Sequence, residues 1–139
     1  MRIYLLDTTL RDGEQTSGVS YTEDEKLSIA KLLLEDLKVD RLEVASAKVS
    51  EGEFRAVKKI TGWAKKHGFI DQIEVLGFVD GMKSINWLNE SGCKVLNLLT
   101  KGSLNHCIHQ LRKQPEEHFA DIKEVLQLAG QNGITVNIY

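Results

Sequence analysis

The sequence predicts an α/β fold built on a parallel sheet, because short apolar runs alternate with longer amphipathic stretches along all 139 residues. A brief apolar run closed by turn residues indicates a buried strand. Apolar residues that recur every three or four positions indicate a helix. The two kinds of segment follow each other without a linker, and strands separated by helices pair in parallel through right-handed crossovers. This βα alternation is the one internal repeat in the sequence.

Five strands are predicted. The first is the apolar run Ile3–Leu6, which ends near Asp7. The other four are expected at Arg41–Ala45, Ile73–Val79, Val95–Leu99 and Ile134–Tyr139.

Four helices are predicted between the strands. The first begins after the N-cap Thr22, and the second covers Glu51–His67 and is closed by Gly68. The third is short and follows Asp80, and the fourth covers roughly Glu116–Ala129. The apolar faces are expected to be Leu27, Ala30, Leu33, Leu34 and Leu37 on the first, Ile85, Trp87 and Leu88 on the third, and Phe119, Ile122, Val125, Leu126 and Ala129 on the fourth.

Composition excludes several classes of function. The net charge is −2 and no basic cluster is present, which argues against a nucleic-acid partner. Cys93 and Cys107 do not form a CxxC pair, as expected for free thiols in a reducing compartment. No apolar run approaches the roughly 18 residues of a membrane helix, and the start does not resemble a signal peptide. We therefore expect a soluble, cytoplasmic protein without a membrane partner.

Charged residues are crowded at the end of the first strand, in the segment Asp7–Gln15 (DTTLRDGEQ). Placing Arg11 beside Asp12 there costs desolvation energy, which is understandable if the two hold a divalent metal and an anionic substrate. Gly13 is placed for a tight turn. The alternative is an ordinary ion pair in a solvated loop.

The segment Asp7–Gln15 resembles the opening signature of the isopropylmalate, homocitrate and citramalate synthase family. These are metal-dependent TIM-barrel enzymes grouped with the hydroxymethylglutaryl-CoA lyases. The resemblance continues through VDRLEVASAKVSEGE, IEVLGFVDG and KVLNLLTKGS, and the last two segments are most similar to the citramalate synthase branch.

The resemblance implies a parallel (βα) TIM-barrel fold, of which five strands and four helices are slightly more than the first half. Because a complete barrel needs about 250 residues, residues 1–139 are expected to be the N-terminal part of an incomplete catalytic barrel. An open sheet that ends on an apolar strand leaves a bare edge. The chain is therefore expected to be a fragment of a longer protein, with half of an assembly as the alternative.

The resemblance makes Asp12 a ligand of a divalent metal (Zn, Mn or Mg), joined by an HxH pair from a later strand. That pair is absent here, since the histidines are His67, His106, His109 and His118. Of these, His106 and His109 have the spacing of two ligands on one helical turn, although a metal site in that connection is the weaker interpretation. Asp7 is expected to orient Arg11 or Asp12.

Three residues are predicted to be catalytic. Arg11 would stabilise the alkoxide that forms from the substrate ketone and would bind its carboxylate. Gln15 matches a family position facing the site and could add a hydrogen bond. Glu43 is a carboxylate inside a strand, placed by alternation on the barrel interior, and the alternative is a strand-edge glutamate in solvent.

Substrate-binding residues are predicted at the ends of later strands. Leu76, Leu99 and Tyr139 could form a small apolar wall that favours pyruvate over a longer 2-oxo acid, or could be ordinary barrel packing. Asn97 is polar inside an apolar strand and would need a partner if buried. The segment Lys101-Gly102-Ser103 could touch a CoA thioester, although a solvated loop is the simpler interpretation.

The implied activity is that of an acyltransferase, a 2-isopropylmalate or citramalate synthase. It would condense acetyl-CoA with a 2-oxo acid, pyruvate or 2-oxoisovalerate, to a 2-alkylmalate in the biosynthesis of leucine or isoleucine. The 139-residue chain alone is expected to be inactive, and the full-length parent to be a homodimer. The alternatives are a carbon–carbon lyase of the same superfamily and a non-catalytic half-barrel that binds partners through its open edge.

Overall fold

The computed structural model describes residues 2–139 and contains a five-stranded sheet whose strands follow their order in the chain. Every neighbouring pair is parallel, with β1 and β5 at the two edges. The strands are β1 (Leu6–Asp7), β2 (Arg41–Ser46), β3 (Ile73–Phe78), β4 (Val95–Leu99) and β5 (Thr135–Ile138). The predicted parallel α/β architecture is therefore confirmed.

The four predicted helices are present as α1 (Glu23–Lys31), α2 (Glu51–His67), α3 (Met82–Ser91) and α4 (Pro115–Gln131). α2 has both of its predicted ends, with Ser50 accepting a hydrogen bond from the backbone N–H of Glu53 at 3.1 Å and Gly68 in the left-handed conformation at φ 81°. α1 begins at Thr22, which forms a reciprocal capping box with Glu25. Short 3₁₀ turns cover Gly13–Gln15 and Ile70–Gln72, and π-helical turns cover Leu32–Asp36 and His106–Leu111.

The first strand is shorter than predicted, because Ile3–Leu5 lies outside it with side chains 59% to 72% exposed. β1 is an edge strand with β2 on one side, so its beginning lacks a second neighbour against which to pack. The carbonyl oxygen of Leu5 still accepts hydrogen bonds from the N–H groups of Asp40 and Arg41. Hydrogen bonds therefore hold the backbone at Leu5, although the side chains of Ile3–Leu5 are exposed.

The main apolar core lies between the helices and one face of the sheet. The prediction that Leu37 and Phe119 face this core is wrong, since Leu37 is 70% exposed and Phe119 is 66% exposed. Leu37 follows the π-helical turn Leu32–Asp36, whose wider winding rotates later residues off the buried face of α1. On α4, His118 is buried in place of Phe119, and its Nε2 accepts a hydrogen bond from the backbone N–H of Lys101 at 3.2 Å.

Gly77, on β3, lies where the sheet meets α3 with no room for a side chain. A Cβ atom at this position would stand 2.5 Å from Cδ1 of Leu96 and 3.0 Å from Cβ of Ser84. The glycine therefore permits close approach of helix and sheet.

The other face of the sheet, called here the inner face, carries polar residues in adjacent strands. Glu43 pairs with Glu74, and Asn97 pairs with Asn137, so each pair projects to the same side.

The register of β2 against β3 shifts between Glu43 and Ala45, which leaves Val44 as an extra residue. As a result Ser46 pairs with Leu76 and returns to the inner face, although it lies three residues after Glu43.

No helix within residues 2–139 is long and apolar enough to cross a membrane.

Candidate active site

The segment after β1 is folded into a tight turn that carries Arg11 and Asp12. The backbone N–H groups of Arg11, Asp12 and Gly13 all donate to the carbonyl oxygen of Thr8, at 3.1, 2.8 and 3.1 Å. The carboxylate of Asp7 accepts from the backbone N–H of Thr9 at 2.9 Å and from its hydroxyl at 3.1 Å. Asp7 therefore fixes the turn. Contrary to the expectation, its carboxylate forms no hydrogen bond with Arg11 or Asp12.

Arg11 is held between two carboxylates. Its Nε donates to Oε1 of Glu43 at 2.5 Å, and its Nη1 donates to Oδ1 of Asp12 at 2.9 Å. The Arg11 side chain is 19% exposed, whereas the Glu43 side chain is fully buried. The alternative of a solvent-exposed Glu43 is therefore wrong. Charge-assisted bonds of this kind fix the plane of the guanidinium as well as its position.

The second oxygen of Glu43 belongs to a buried polar layer on the inner face. Nδ2 of Asn97 donates to Oε2 of Glu43 at 2.7 Å and to Oε2 of Glu74 at 2.9 Å. Its Oδ1 accepts from Nδ2 of Asn137 at 2.9 Å. Asn97 thus has the partners that its burial requires, and within residues 2–139 no buried side-chain nitrogen or oxygen lacks one.

Arg41 closes this layer at the beginning of β2. Its Nε donates to Oε1 of Glu74, and its Nη2 donates to Oε2 of Glu74 at 2.9 Å. The hydrogen bond to Glu74 raises the pKa of the Arg41 guanidinium further above its usual value. Two arginines therefore neutralise the two buried glutamates, one from each end of the layer.

A cavity of about 320 Å³ opens beside Arg11. Its polar lining includes Gln15, Ser46 and Glu53. Gln15 is the last residue of the 3₁₀ turn and is exposed. The remaining guanidinium N–H groups of Arg11, including both on Nη2, bond no residue of the described chain and are free for a ligand.

The other predicted substrate residues lie on the inner face or at its edge. Leu76 is 8% exposed and pairs with Asn97, and Leu99 is half-buried. Tyr139 is 45% exposed and its hydroxyl lies 3.4 Å from Nη2 of Arg41. The tyrosine hydroxyl is thus directed to the buried polar layer, and contact of these side chains with a substrate stays a prediction.

The donor set for a metal is incomplete. Asp12 has a side chain 61% exposed and can offer an oxygen ligand, but both oxygens of Glu43 are occupied by Arg11 and Asn97. Residues 2–139 contain no cluster of three or more histidine, cysteine, aspartate or glutamate side chains able to hold a cation. His106 and His109 are therefore not part of such a cluster. The residues present therefore do not fit a complete cation site, although Asp12 fits the role of one ligand.

Sequence reasoning did not identify Glu74, Arg41 or Asn137, although a signal existed for the first. Glu74 is a charged residue inside an apolar run, as Glu43 is, and the same alternation argument applies to it. Lys26 was also missed. It precedes Ala30 by four residues, so it occupies the apolar face of α1, and its side chain is 1% exposed.

The chain is similar to known proteins over its described length. The HMGL-like family model matches residues 2–139. The chain is 36% identical over 139 residues to the (R)-citramalate synthase CimA of Methanocaldococcus jannaschii, covering 99% of this chain and 27% of that protein. It is 35% identical over 136 residues to the 2-isopropylmalate synthase of Sulfolobus acidocaldarius, covering 97% of this chain and 34% of that protein. The chain thus spans about a quarter to a third of these relatives.

Solved structures show the same fold. The hydroxymethylglutaryl-CoA lyase of Pseudomonas aeruginosa superposes with a TM-score of 0.74 at 17% identity, over 99% of this chain and 45% of that one. An HMG-CoA lyase of Acinetobacter baumannii in complex with coenzyme A and 3-methylmalate superposes with a TM-score of 0.60 at 21% identity, over 97% of this chain and 43% of that one. These TIM-barrel proteins share the fold over less than half of their own length.

Proposed function

Because this chain belongs to the HMGL-like family, we propose that the protein carrying it is an acyltransferase that condenses acetyl-CoA with a 2-oxo acid. The acceptor is pyruvate or 2-oxoisovalerate, and the products are a 2-alkylmalate and free CoA. The relatives at 34% to 36% identity are named citramalate synthase and 2-isopropylmalate synthase, which supports a role in branched-chain amino-acid biosynthesis.

The observation that carries this proposal is the fixed position of Arg11 between Glu43 and Asp12. In the condensation, a base removes a proton from the methyl group of acetyl-CoA, and the resulting enolate carbon attacks the ketone carbon. A carbon–carbon bond forms, and the ketone oxygen receives the electron pair of the C=O bond, becomes an alkoxide and then takes up a proton. Water hydrolyses the thioester and releases CoA. A guanidinium that is already oriented, with free N–H groups toward a cavity, stabilises that developing charge without reorganisation.

The other residues of the site have supporting roles in this proposal. Asp12 would contribute one ligand to a divalent cation whose other ligands residues 2–139 do not supply, and such a cation would provide Lewis-acid polarisation of the acceptor. Gln15 adds a hydrogen bond from the edge of the cavity. Glu43 acts by holding Arg11, since both of its oxygens are occupied within the chain.

Acceptor size is proposed to be set on the inner face of the sheet. Leu76 and Leu99 offer aliphatic surface there, with Asn97 in the register position paired with Leu76. Tyr139 follows β5 beside Leu99, and its backbone N–H donates to the carbonyl oxygen of Leu98. This short apolar surface suits the methyl group of pyruvate better than a branched chain.

The test is CoA release by the gene-encoded protein with acetyl-CoA and either pyruvate or 2-oxoisovalerate. Release that depends on the 2-oxo acid, with formation of a 2-alkylmalate, supports the proposal. Cleavage of hydroxymethylglutaryl-CoA without condensation would identify a lyase, the activity named for the structural neighbours. Absence of both activities in the metal-supplemented protein would contradict an enzymatic role.

A further inference from the structure

Lys26 is a fully buried lysine beneath the turn that carries Arg11, and all three of its N–H donors are used. Its Nζ donates to the carbonyl oxygen of Leu10 at 3.1 Å, to Oε2 of Glu14 at 2.6 Å and to Oε1 of Glu53. The three acceptors come from three parts of the chain: the turn itself, the 3₁₀ turn Gly13–Gln15, and α2. A buried ammonium is costly unless every donor is satisfied, and here that condition is met.

The two acceptors Leu10 and Glu14 enclose the segment Arg11–Gly13 on both sides. Lys26 therefore fastens the beginning and the end of the short segment that carries the guanidinium and the carboxylate of the site. The contact with Glu53 ties the same ammonium to α2, which lines the cavity beside Arg11.

The cluster contains one positive and two negative groups, and the two carboxyls respond differently to it. Burial raises the pKa of Glu53 more than its bonds to Lys26 lower it, and Glu14 nearby raises it further. Burial also acts to raise the pKa of Glu14, but hydrogen bonds from Lys26 and from the backbone N–H of Tyr21 outweigh it and the pKa falls. Of the two carboxylates that bind the ammonium, Glu14 lies at the end of the fastened segment and Glu53 lies on α2.

We propose that Lys26 is a positioning residue for Arg11 and Asp12, which it places by clamping the two ends of their segment. The effect on catalysis rests on the proposed function, whereas the effect on the segment does not. The competing explanation is that Lys26 only ties α1 to α2. That task is already performed at the surface by ion pairs between Asp24 and Lys59 and between Glu23 and Arg55.

The test compares Lys26→Met with Lys59→Met in the gene-encoded protein. Both substitutions remove a lysine that links α1 with α2, but Lys59 has no contact with the turn. Amide hydrogen exchange of residues 11–13 is measured together with that of β3 and β4. We expect Lys26→Met to accelerate exchange at residues 11–13 by about tenfold or more relative to the strands, because local opening replaces a clamped turn. Lys59→Met should leave that ratio unchanged.

Kinetics give a second measurement on the same variants. We expect Lys26→Met to lower kcat by about tenfold or more while KM changes less than about threefold, because misplacement of Arg11 acts on the transition state. Glu14→Gln releases one end of the clamp, should show the same pattern at smaller amplitude, and serves if Lys26→Met does not fold. The proposal would be overturned if Lys26→Met accelerated hydrogen exchange equally in residues 11–13, β3 and β4, or left exchange at residues 11–13 unchanged. If the parent protein has no condensation activity, the proposed function fails and the exchange ratio still decides the role of Lys26.

Discussion

The Nε of Arg11 donates to Oε1 of Glu43 at 2.5 Å, and this bond joins the turn after β1 to the interior of β2. Glu43 is fully buried, and Arg11 is its counter-ion and lies between it and solvent. The same contact therefore pays the desolvation cost of a carboxylate and orients the guanidinium toward the cavity. Stability and the proposed chemistry depend on one pair of side chains.

Arg11→Lys should lower kcat of the gene-encoded protein by about 10²-fold or more, the scale seen when one oxyanion donor is lost. Lysine keeps the charge but cannot reach Glu43 and Asp12 together with a planar fork. Metal content, measured by elemental analysis, should stay near normal, and Arg55→Lys, at an exposed ion pair with Glu23, is the matched control. Loss of metal with unchanged kcat per bound metal would show that Arg11 is structural.

Asp12→Asn should lower the affinity for a divalent cation, because it removes a negative charge from a hard oxygen donor. Titration of the metal-free gene-encoded protein with Zn²⁺, Mn²⁺ or Mg²⁺ measures the change, and activity should fall with it. Asp71→Asn is a control that changes an aspartate in the distant 3₁₀ turn before β3. Equal affinity in Asp12→Asn and the parent would remove Asp12 from the proposed ligand set.

Asn97→Ala should lower the free energy of unfolding by about 1–3 kcal/mol, because it leaves the carboxylates of Glu43 and Glu74 without a shared buried donor. Urea denaturation measures this loss. Asn89→Ala removes an exposed amide that bonds Asn132, and should change stability by roughly 0.5 kcal/mol or less. Similar values for the two variants would mean that the buried layer contributes little.

Gly77→Ala should destabilise the fold by about 1–3 kcal/mol, because the new methyl group would meet Leu96 and Ser84. Gly62→Ala is the matched control in α2, where a Cβ atom meets nothing within 4 Å. There we expect a gain of roughly 0.5–1 kcal/mol from reduced backbone entropy in the unfolded chain. Thermal unfolding of both variants should move in opposite directions.

Protection of the Leu5 amide from hydrogen exchange should depend on acid conditions through Asp40. The hydrogen bond from the backbone N–H of Leu5, and then Arg2, lowers the pKa of Asp40 below its usual 3.8. The contribution of this carboxylate is thus complete above that value and is lost as pH falls through the lowered pKa. In Asp40→Asn the protection should be weaker and should no longer change with pH. An equally steep profile in that variant would assign the effect to another group.

The sequence allowed much of the fold to be predicted, because the spacing of apolar residues and the capping of helices are local properties. β4 and α2 have the predicted bounds, since a five-residue run with a single polar member and an N-cap with a closing glycine are complete within their own segments. The errors at Ile3–Leu5 and at Phe119 come from non-local causes, an absent strand neighbour and a hydrogen bond to the loop after β4.

The candidate site was predictable where a charge interrupts an apolar pattern. Arg11, Asp12 and Glu43 are brought together as expected, and Asn97 has the buried partners that it needed. Lys26 was missed because a lysine at a core spacing is ordinarily assigned to solvent. Its burial depends on acceptors contributed by segments up to 27 positions away.

The extra residue in β2 makes the length of that strand more important than its composition. Glu43 and Ser46 both project to the inner face although Ser46 lies three positions after Glu43, which an uninterrupted strand would forbid. Conservative replacement of Val44 would alter packing alone, whereas deleting it would turn either the carboxylate or the hydroxyl to the helical side. Variants of this protein should therefore accept exchanges at this point far more readily than insertions or deletions.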